Sequence, residues 1–150
     1  MFRFVEHLVT PITNEDERAA VEEAAGTTDV AGGHIIQAIT LYRDRATPDY
    51  RNSIKESVSA VEATYRQLTG EGHKDIKSAI IAMEGRGIRL ALSLKRGFSA
   101  IYGWTSGPDG IRHALMDDAR PPGEAEARLM LVMCSAYVNY LLSLRGTDSG

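Results

Sequence analysis

The sequence predicts an all-α fold, a bundle of about six helices, and three observations support this prediction. Apolar residues recur at spacings of three and four along most of the chain, as they do on the buried face of a helix. Strict alternation of apolar and polar residues never persists for the length of a strand. Glycine and proline divide the chain into segments of helical length. Together these features favour a helical bundle.

Turn-forming residues set the predicted boundaries of the helices. Residues 90–94 are ambiguous because Gly85 and Gly87 interrupt the helical pattern before them, so they either extend the preceding helix or begin a turn. The predicted helices span residues 13–25, 30–45, 48–70, 74–83, 111–119 and 124–145, and residues 95–104 are a short segment with three aromatic residues.

The first two helices are predicted from their ends and their apolar stripes. Thr13 begins a capping signal, and the acidic residues after it suit the first turn of a helix. Gly26 is a suitable end for that helix. In the second helix, Ile35, Ile39 and Tyr42 lie at helical spacing and form the apolar stripe.

The clearest predicted helix occupies residues 48–70. Pro48 suits the first position of a helix, and Gly70 suits its end. Apolar residues from Ile54 onward follow one another at spacings of 4, 3, 4 and 3. Glu62 lies at the edge of this stripe, where a buried carboxylate would need a hydrogen-bond donor.

The last predicted helix contains the most apolar segment of the chain. From Leu129 to Leu144 it is apolar nearly all round, which predicts a central buried helix. This segment is 16 residues long and includes Asn139, so it is too short and too polar for a good membrane span. We therefore expect no membrane association, and we expect Asn139 to need hydrogen-bond partners.

Composition narrows the class of protein. With 150 residues, 43% hydrophobic and 25% charged, the chain suits one soluble domain. A single cysteine, Cys134, excludes an internal disulfide. One cysteine and four scattered histidines also exclude the usual structural zinc site, so we expect no metal and no cofactor. No N-terminal stretch resembles a signal peptide, which predicts a cytoplasmic protein.

Charge is distributed unevenly along the chain. The formal net charge is −3, but residues 1–31 carry −5 and residues 74–112 carry +4. The positive segment is either solvated helix surface or a patch that binds phosphate. Its aromatic residues either pack a hydrophobic corner or stack on bases. The candidate phosphate- or RNA-binding residues are Lys95, Arg96 and Trp104.

Two segments of the chain resemble a known family. They are DRATPDYRNSIKESVSAVEATYRQLTG at residues 44–70 and KRGFSAIYGWTSGPDGIRHALMDD at residues 95–118, which runs on into EARLMLVMCSAYVNYLL. Together they resemble the small helical domain of bacterial abortive-infection proteins of the AbiJ type, which is similar to the HEPN superfamily. The resemblance covers roughly residues 34–144, and DGIRHAL is its most specific part.

The resemblance implies a domain organisation and a class of function. It predicts a HEPN-like antiparallel bundle at residues 31–145. Outside the resemblance, the charge and helical pattern predict an acidic helical extension at 1–30, and the composition predicts a frayed tail at 146–150. HEPN domains commonly form homodimers. Many are metal-independent ribonucleases of phage defence or toxin systems, and others are inactive partners or sensors. We therefore expect an anti-phage defence component whose partners are RNA, a second copy or another defence protein.

The active members of the family carry an arginine, a polar residue directly after it, and a histidine after four to six intervening positions. Arg112 and His113 match the first two positions, but Asp117 stands where the histidine is expected, and neither of the next two residues is a histidine. In the family the arginine neutralises a phosphate while the histidine moves protons as a 2′-hydroxyl attacks. The candidate catalytic residues are therefore Arg112, His113 and Asp117.

The missing histidine leaves several hypotheses open. The chain is a divergent ribonuclease, a non-catalytic HEPN-like dimerisation or sensor module, or a helical domain that binds nucleotide phosphates. In a structural role, Arg112 would pair with Glu62. A second pair, Arg66 and His73, also matches the motif spacing but crosses two glycines at a helix end.

Overall fold

A computed structural model describes residues 14–27, 29–72, 76–106 and 121–145 of the chain. No strand occurs within these ranges. The prediction of an all-α fold is therefore confirmed. The six described helices are α1 (Glu15–Ala25), α2 (Val30–Arg43), α3 (Tyr50–Thr69), α4 (Ile76–Gly85), α5 (Leu92–Ser106) and α6 (Glu124–Leu144).

Helix α1 begins at an asparagine cap and joins the core of the bundle. The Asn14 side chain accepts a hydrogen bond from the Glu17 backbone N–H at 3.0 Å, which satisfies one of the free donors of the first turn. The predicted cap, Thr13, lies outside the described residues. Val21 and Ala24 are fully buried, and α1 packs on α2 and α6. The acidic N-terminal region thus contributes a helix to the core.

The connection between α2 and α3 is built on two aspartates. Asp44 accepts hydrogen bonds from the backbone N–H groups two and three residues later at 3.0 and 3.1 Å, so the chain turns there, two residues earlier than predicted. Asp49 then caps α3 by accepting from the Asn52 N–H at 3.1 Å. Because Asp49 is the cap, Pro48 precedes the helix, and the predicted start at Pro48 is two residues early.

Helices α2, α3 and α6 form the centre of the bundle. Helix α3 packs along both of the other two. Ser53 of α3 donates to the Ala38 carbonyl of α2 at 2.7 Å, which satisfies a hydroxyl group that is fully buried. The largest fully buried side chains of the core are Ile35, Ile39, Ile54, Met83, Met130, Leu131, Leu141, Val21 and Val138.

Helix α6 is buried on one side rather than all round. Leu131, Val138 and Leu141 are fully buried, but Leu129 is 58% exposed. The reason is that α6 packs on α1, α2 and α3, and these neighbours cover only part of its circumference. Asn139 faces α1 and donates to the Ala20 carbonyl at 2.9 Å, which supplies one of the partners that the sequence predicts it needs.

The described part of the chain contains one helix, α6, that is long and apolar enough to cross a membrane. Its most apolar 18-residue window has a mean hydropathy of 1.4, and 44% of that window is buried within the bundle. Core helices of soluble proteins meet the same criterion of length and composition. Length and composition therefore do not assign α6 to a membrane.

Helix α5 is the most loosely packed of the described helices. Ile88 and Leu90, in the connection that precedes it, are buried, but no described side chain of α5 is. Phe98, Ile101 and Tyr102 are partly buried against the core. Of the ambiguous residues 90–94, the first two lie in the connection between α4 and α5. The last three belong to α5, which starts at residue 92. The loose packing leaves a broad face of α5 exposed to solvent.

Candidate nucleic-acid-binding surface

The three predicted catalytic residues lie outside the described residues. Arg112, His113 and Asp117 all fall within residues 107–120, between the end of α5 and the short approach to α6. The residues that can be placed are the predicted binding residues of α5 and the predicted structural carboxylate of α3.

The structure separates Lys95 from the other two predicted binding residues. The Lys95 ammonium donates to a Glu84 carboxylate oxygen of α4, and the pair is partly buried. Arg96, the next residue, is exposed and forms no ion pair or hydrogen bond with any described residue. The charge of Lys95 is therefore used within the bundle, whereas the charge of Arg96 faces solvent.

Trp104 lies on the outward side of α5, close to the face that carries Arg96. Its side chain is 40% exposed. Eight residues separate Trp104 from Arg96, which places them about 12 Å apart along the axis and about 80° apart around it. The inward side of the helix carries Phe98, whose ring stacks on Tyr137 of α6. Two of the three aromatics predicted at residues 95–104 thus pack against the core, and Trp104 remains available for contact.

Small side chains surround these two residues and leave them accessible. A Cβ atom placed at Gly97 or Gly103 would meet no other atom within 4 Å. Ala100 lies between them and is also exposed. Exposed basic and aromatic groups on one open face are the combination that single-stranded nucleic acid binds, through its phosphates and the faces of its bases. We call the exposed face of α5 that carries Arg96, Gly97, Ala100, Gly103 and Trp104 the α5 face.

Glu62 lies on the surface and not in the core. It is exposed, and it accepts a hydrogen bond from the Tyr102 hydroxyl of α5 at 3.3 Å. Its predicted partner, Arg112, lies outside the described residues, so that pairing stays a prediction. The contact between Glu62 and Tyr102 brings α5 and α3 together at this point, which no spacing in the sequence indicated.

An apolar cavity under α5 is too small for an organic ligand. Its volume is about 30 Å³, roughly the space of one water molecule. Cys134 is one of its lining residues, and burial raises the pKa of the thiol to about 12, so this cysteine is protonated at neutral pH. The lining is completed by Val58, Val61, Ile76, Phe98, Ile101, Tyr102, Met130, Met133 and Tyr137. The cavity is thus an imperfection of core packing.

Sequence reasoning did not single out Arg86, and it considered Arg66 only as the partner of His73. In the structure both guanidinium groups lie against the glycines of the turn between α3 and α4. The sequence signal that was available is the pair of glycines, Gly70 and Gly72, around one residue at the end of a helix. Without side chains at these positions, another group can approach the backbone closely. Among the described residues, no group of three or more His, Cys, Asp or Glu side chains is arranged to hold a metal ion.

Comparison with known proteins identifies no relative, since neither a family model nor a curated protein nor a solved structure matches this chain. The class of protein is therefore defined by the molecule itself. It is an all-α bundle in which the most loosely packed helix presents an exposed tryptophan and an arginine that pairs with no described residue.

Proposed function

We propose that this chain is a HEPN-like helical module of a bacterial anti-phage defence system, of the abortive-infection or toxin type, that binds RNA on its α5 face in the cytoplasm. The observation that carries the proposal is the joint exposure of Arg96 and Trp104 on one helix. Arginine neutralises phosphate, and an exposed aromatic ring stacks on bases. The resemblance to AbiJ-type domains supports the defence role.

In this proposal RNA cleavage takes place just beyond the α5 face. Arg112 holds the scissile phosphate, and His113 accepts the proton of the attacking 2′-hydroxyl. The bond between the 2′-oxygen and phosphorus forms as the bond to the 5′-oxygen breaks, and the 5′-oxygen takes up a proton from water. The chain order supports this arrangement, because α5 leads directly into the segment that contains Arg112. Asp117 stands at the position where active HEPN domains carry a histidine.

A second candidate is a non-catalytic dimerisation or sensor module. It is favoured by Asp117 in place of histidine and by exposed apolar side chains at Leu92 and Leu94 of α5. A second copy or another defence protein would cover these side chains. In a related form, the module binds nucleotide phosphates without turnover.

Binding of a dye-labelled single-stranded RNA, followed by fluorescence anisotropy, tests the RNA-binding step. Trp104→Ala should weaken binding by about 5- to 150-fold, the range expected when one base loses about 1–3 kcal/mol of stacking. Arg96→Ala should weaken it and reduce its salt dependence. Arg45→Ala is the matched control, because Arg45 is an exposed arginine in the connection between α2 and α3 and forms no ion pair with a described residue. Equal affinities for all four proteins would contradict RNA binding on the α5 face.

The catalytic step is tested separately with RNA cleavage in the presence of a chelator. We expect cleavage by the wild type and its loss in Arg112→Ala and in His113→Ala. Binding without cleavage would instead support the non-catalytic module. Because Trp104 is the single tryptophan of the chain, its fluorescence also reports directly on bases that reach the α5 face.

A further inference from the structure

The first three residues of the connection between α3 and α4 are Gly70, Glu71 and Gly72, and all three are exposed. Gly70 ends α3 in the left-handed conformation, with φ of 77°, and its N–H donates to the Arg66 carbonyl at 2.7 Å. This conformation favours glycine. Glu71 and Gly72 follow and are exposed. Two of the three residues therefore present no side chain to an approaching group.

Two arginine side chains lie against this turn from different helices. A Cβ atom at Gly70 would lie 3.4 Å from a terminal guanidinium nitrogen of Arg86, which follows α4. A Cβ atom at Gly72 would lie 3.7 Å from Nε of Arg66 and 3.8 Å from one of its terminal nitrogens. The two positive charges thus flank Gly70, Glu71 and Gly72, the described part of the connection between α3 and α4.

Neither guanidinium is neutralised by a described residue. The ion pairs within the described chain use other cations, and neither the Arg66 nor the Arg86 guanidinium group donates a hydrogen bond to any described residue. The carboxylate of Glu71, which lies in the turn itself, pairs with neither of them. The common structural role of arginine at a helix end, donation to the last carbonyls, is therefore not the role of these two.

The turn lies close to the C-terminal half of α5. The Tyr102 hydroxyl donates to Glu62, and Arg66 follows Glu62 by one helical turn, about 6 Å along α3. Trp104 follows Tyr102 by two residues and points about 200° away around α5, so the two arginines form a separate positive surface on the Tyr102 side of this helix. Exposed positive charge also occurs at Lys77 and Arg89, within the segment of net charge +4.

We infer that Gly70, Glu71 and Gly72 form a phosphate site in which Arg66 and Arg86 bind phosphates of the RNA that the proposed function assigns to this protein. The inference rests on the proposed function for the identity of the strand. The planar guanidinium group matches the geometry of phosphate oxygens and donates two parallel hydrogen bonds to them. The terminal phosphates of a free nucleotide offer the same chemistry, so the test includes both sources.

The experiment measures RNA affinity as a function of salt concentration for the wild type and single variants. Arg66→Ala and Arg86→Ala should each weaken binding of a single-stranded RNA about fivefold near 0.1 M salt and reduce the salt slope by about 0.7. Arg45→Ala is the matched control, an exposed arginine at the opposite end of α3, about 30 Å away. Glu71→Gln should tighten binding, an effect that misfolding cannot imitate.

A second arm uses inorganic diphosphate, with binding followed by calorimetry. If RNA binds and depends on Trp104, but Arg66→Ala and Arg86→Ala behave like Arg45→Ala, the inference is overturned and the proposed function stands. If RNA does not bind, but diphosphate binds and both arginine variants lose it, the proposed function fails while the site remains, with free phosphate as its ligand. If the wild type binds neither RNA nor diphosphate, both are overturned.

Discussion

The hydroxyl groups of Tyr65 in α3 and Tyr137 in α6 hydrogen-bond to each other inside the core. Both side chains are buried, and their rings meet edge to face with centroids 5.9 Å apart. Desolvation by burial raises the pKa of each phenol far above its ordinary value. The pair therefore stays neutral over the working pH range, and each hydroxyl is the partner that satisfies the other.

This pairing predicts a non-additive pair of substitutions. Tyr65→Phe should lower the free energy of unfolding by about 1–3 kcal/mol, because it leaves the buried Tyr137 hydroxyl without a partner. Tyr137→Phe should do the same to Tyr65. The double variant should lose less than the sum of the two, since no unsatisfied hydroxyl remains. Urea unfolding of the four proteins measures this, and additive losses would show that the hydroxyls do not depend on each other.

The cap of α3 predicts a dependence of stability on acid pH. The side chain and backbone N–H of Asn52 donate to Asp49 and lower the pKa of its carboxyl below 3.8. Because the pKa of Asp49 is lower in the folded state, its ionised carboxylate stabilises the protein fully above about pH 3.8. That stabilisation is lost as the pH falls through the pKa of the folded state.

Two variants separate the cap from its charge. Asp49→Ala should cost about 1 kcal/mol at neutral pH because an N-cap acceptor is removed. Asp49→Asn retains an acceptor oxygen, so it should keep most of that stability and lose the pH dependence below about pH 4 that is due to this carboxyl. Thermal unfolding from about pH 7 to about pH 2.5 follows both effects. An Asp49→Asn protein with an unchanged acid profile would contradict the assignment.

The attachment of α1 to α6 predicts unequal effects of two polar contacts. Asn139→Ala removes the hydrogen bond to the Ala20 carbonyl and should cost about 1 kcal/mol. Arg128→Ala removes an ion pair with Glu17 at 2.8 Å, in which both side chains are more than one third exposed and screened by solvent, so it should cost less than Asn139→Ala. Amide hydrogen exchange in α1 reports on both variants. A larger loss of protection in Arg128→Ala would contradict this ranking.

Two glycines predict substitutions of opposite sign. Gly97 lies in the middle of α5 with open space at its Cβ position, so Gly97→Ala should stabilise the protein by about 0.5–1 kcal/mol. At Gly32, in α2, a Cβ atom would lie 2.3 Å from the Thr27 carbonyl oxygen, so Gly32→Ala should destabilise it. Thermal unfolding compares the two. Destabilisation by Gly97→Ala would show that the outer side of α5 is covered by a contact in solution.

Several features of the fold could be predicted from local sequence because local chemistry causes them. The spacing of apolar residues after Ile54 and the glycine at residue 70 predict α3 and its end, and the structure has both. The predicted start was wrong by two residues, because the carboxylate of Asp49 satisfies the first N–H groups and takes the cap position after Pro48. Such capping choices depend on side-chain geometry that a one-dimensional pattern does not contain.

The candidate site could be predicted only in part. Arg96 and Trp104 are exposed, as a binding surface requires, but Lys95 is paired with Glu84 from another helix. Arg86 reaches Gly70 across the turn between two helices, a contact between residues that no motif connects. The predicted roles of Arg112 and His113 stay predictions, since both lie outside the described residues.

The sequence by itself determined that this protein is helical and where most of its helices lie, because helix formation depends on residue spacing, caps and glycine within a few positions. Only the tertiary structure decided which polar groups are used internally and which remain free for a ligand. The contacts that settle this join Tyr65 to Tyr137 and Asn139 to Ala20, residues 72 and 119 positions apart. Their pairing depends on how the helices pack, and packing is a property of the whole chain.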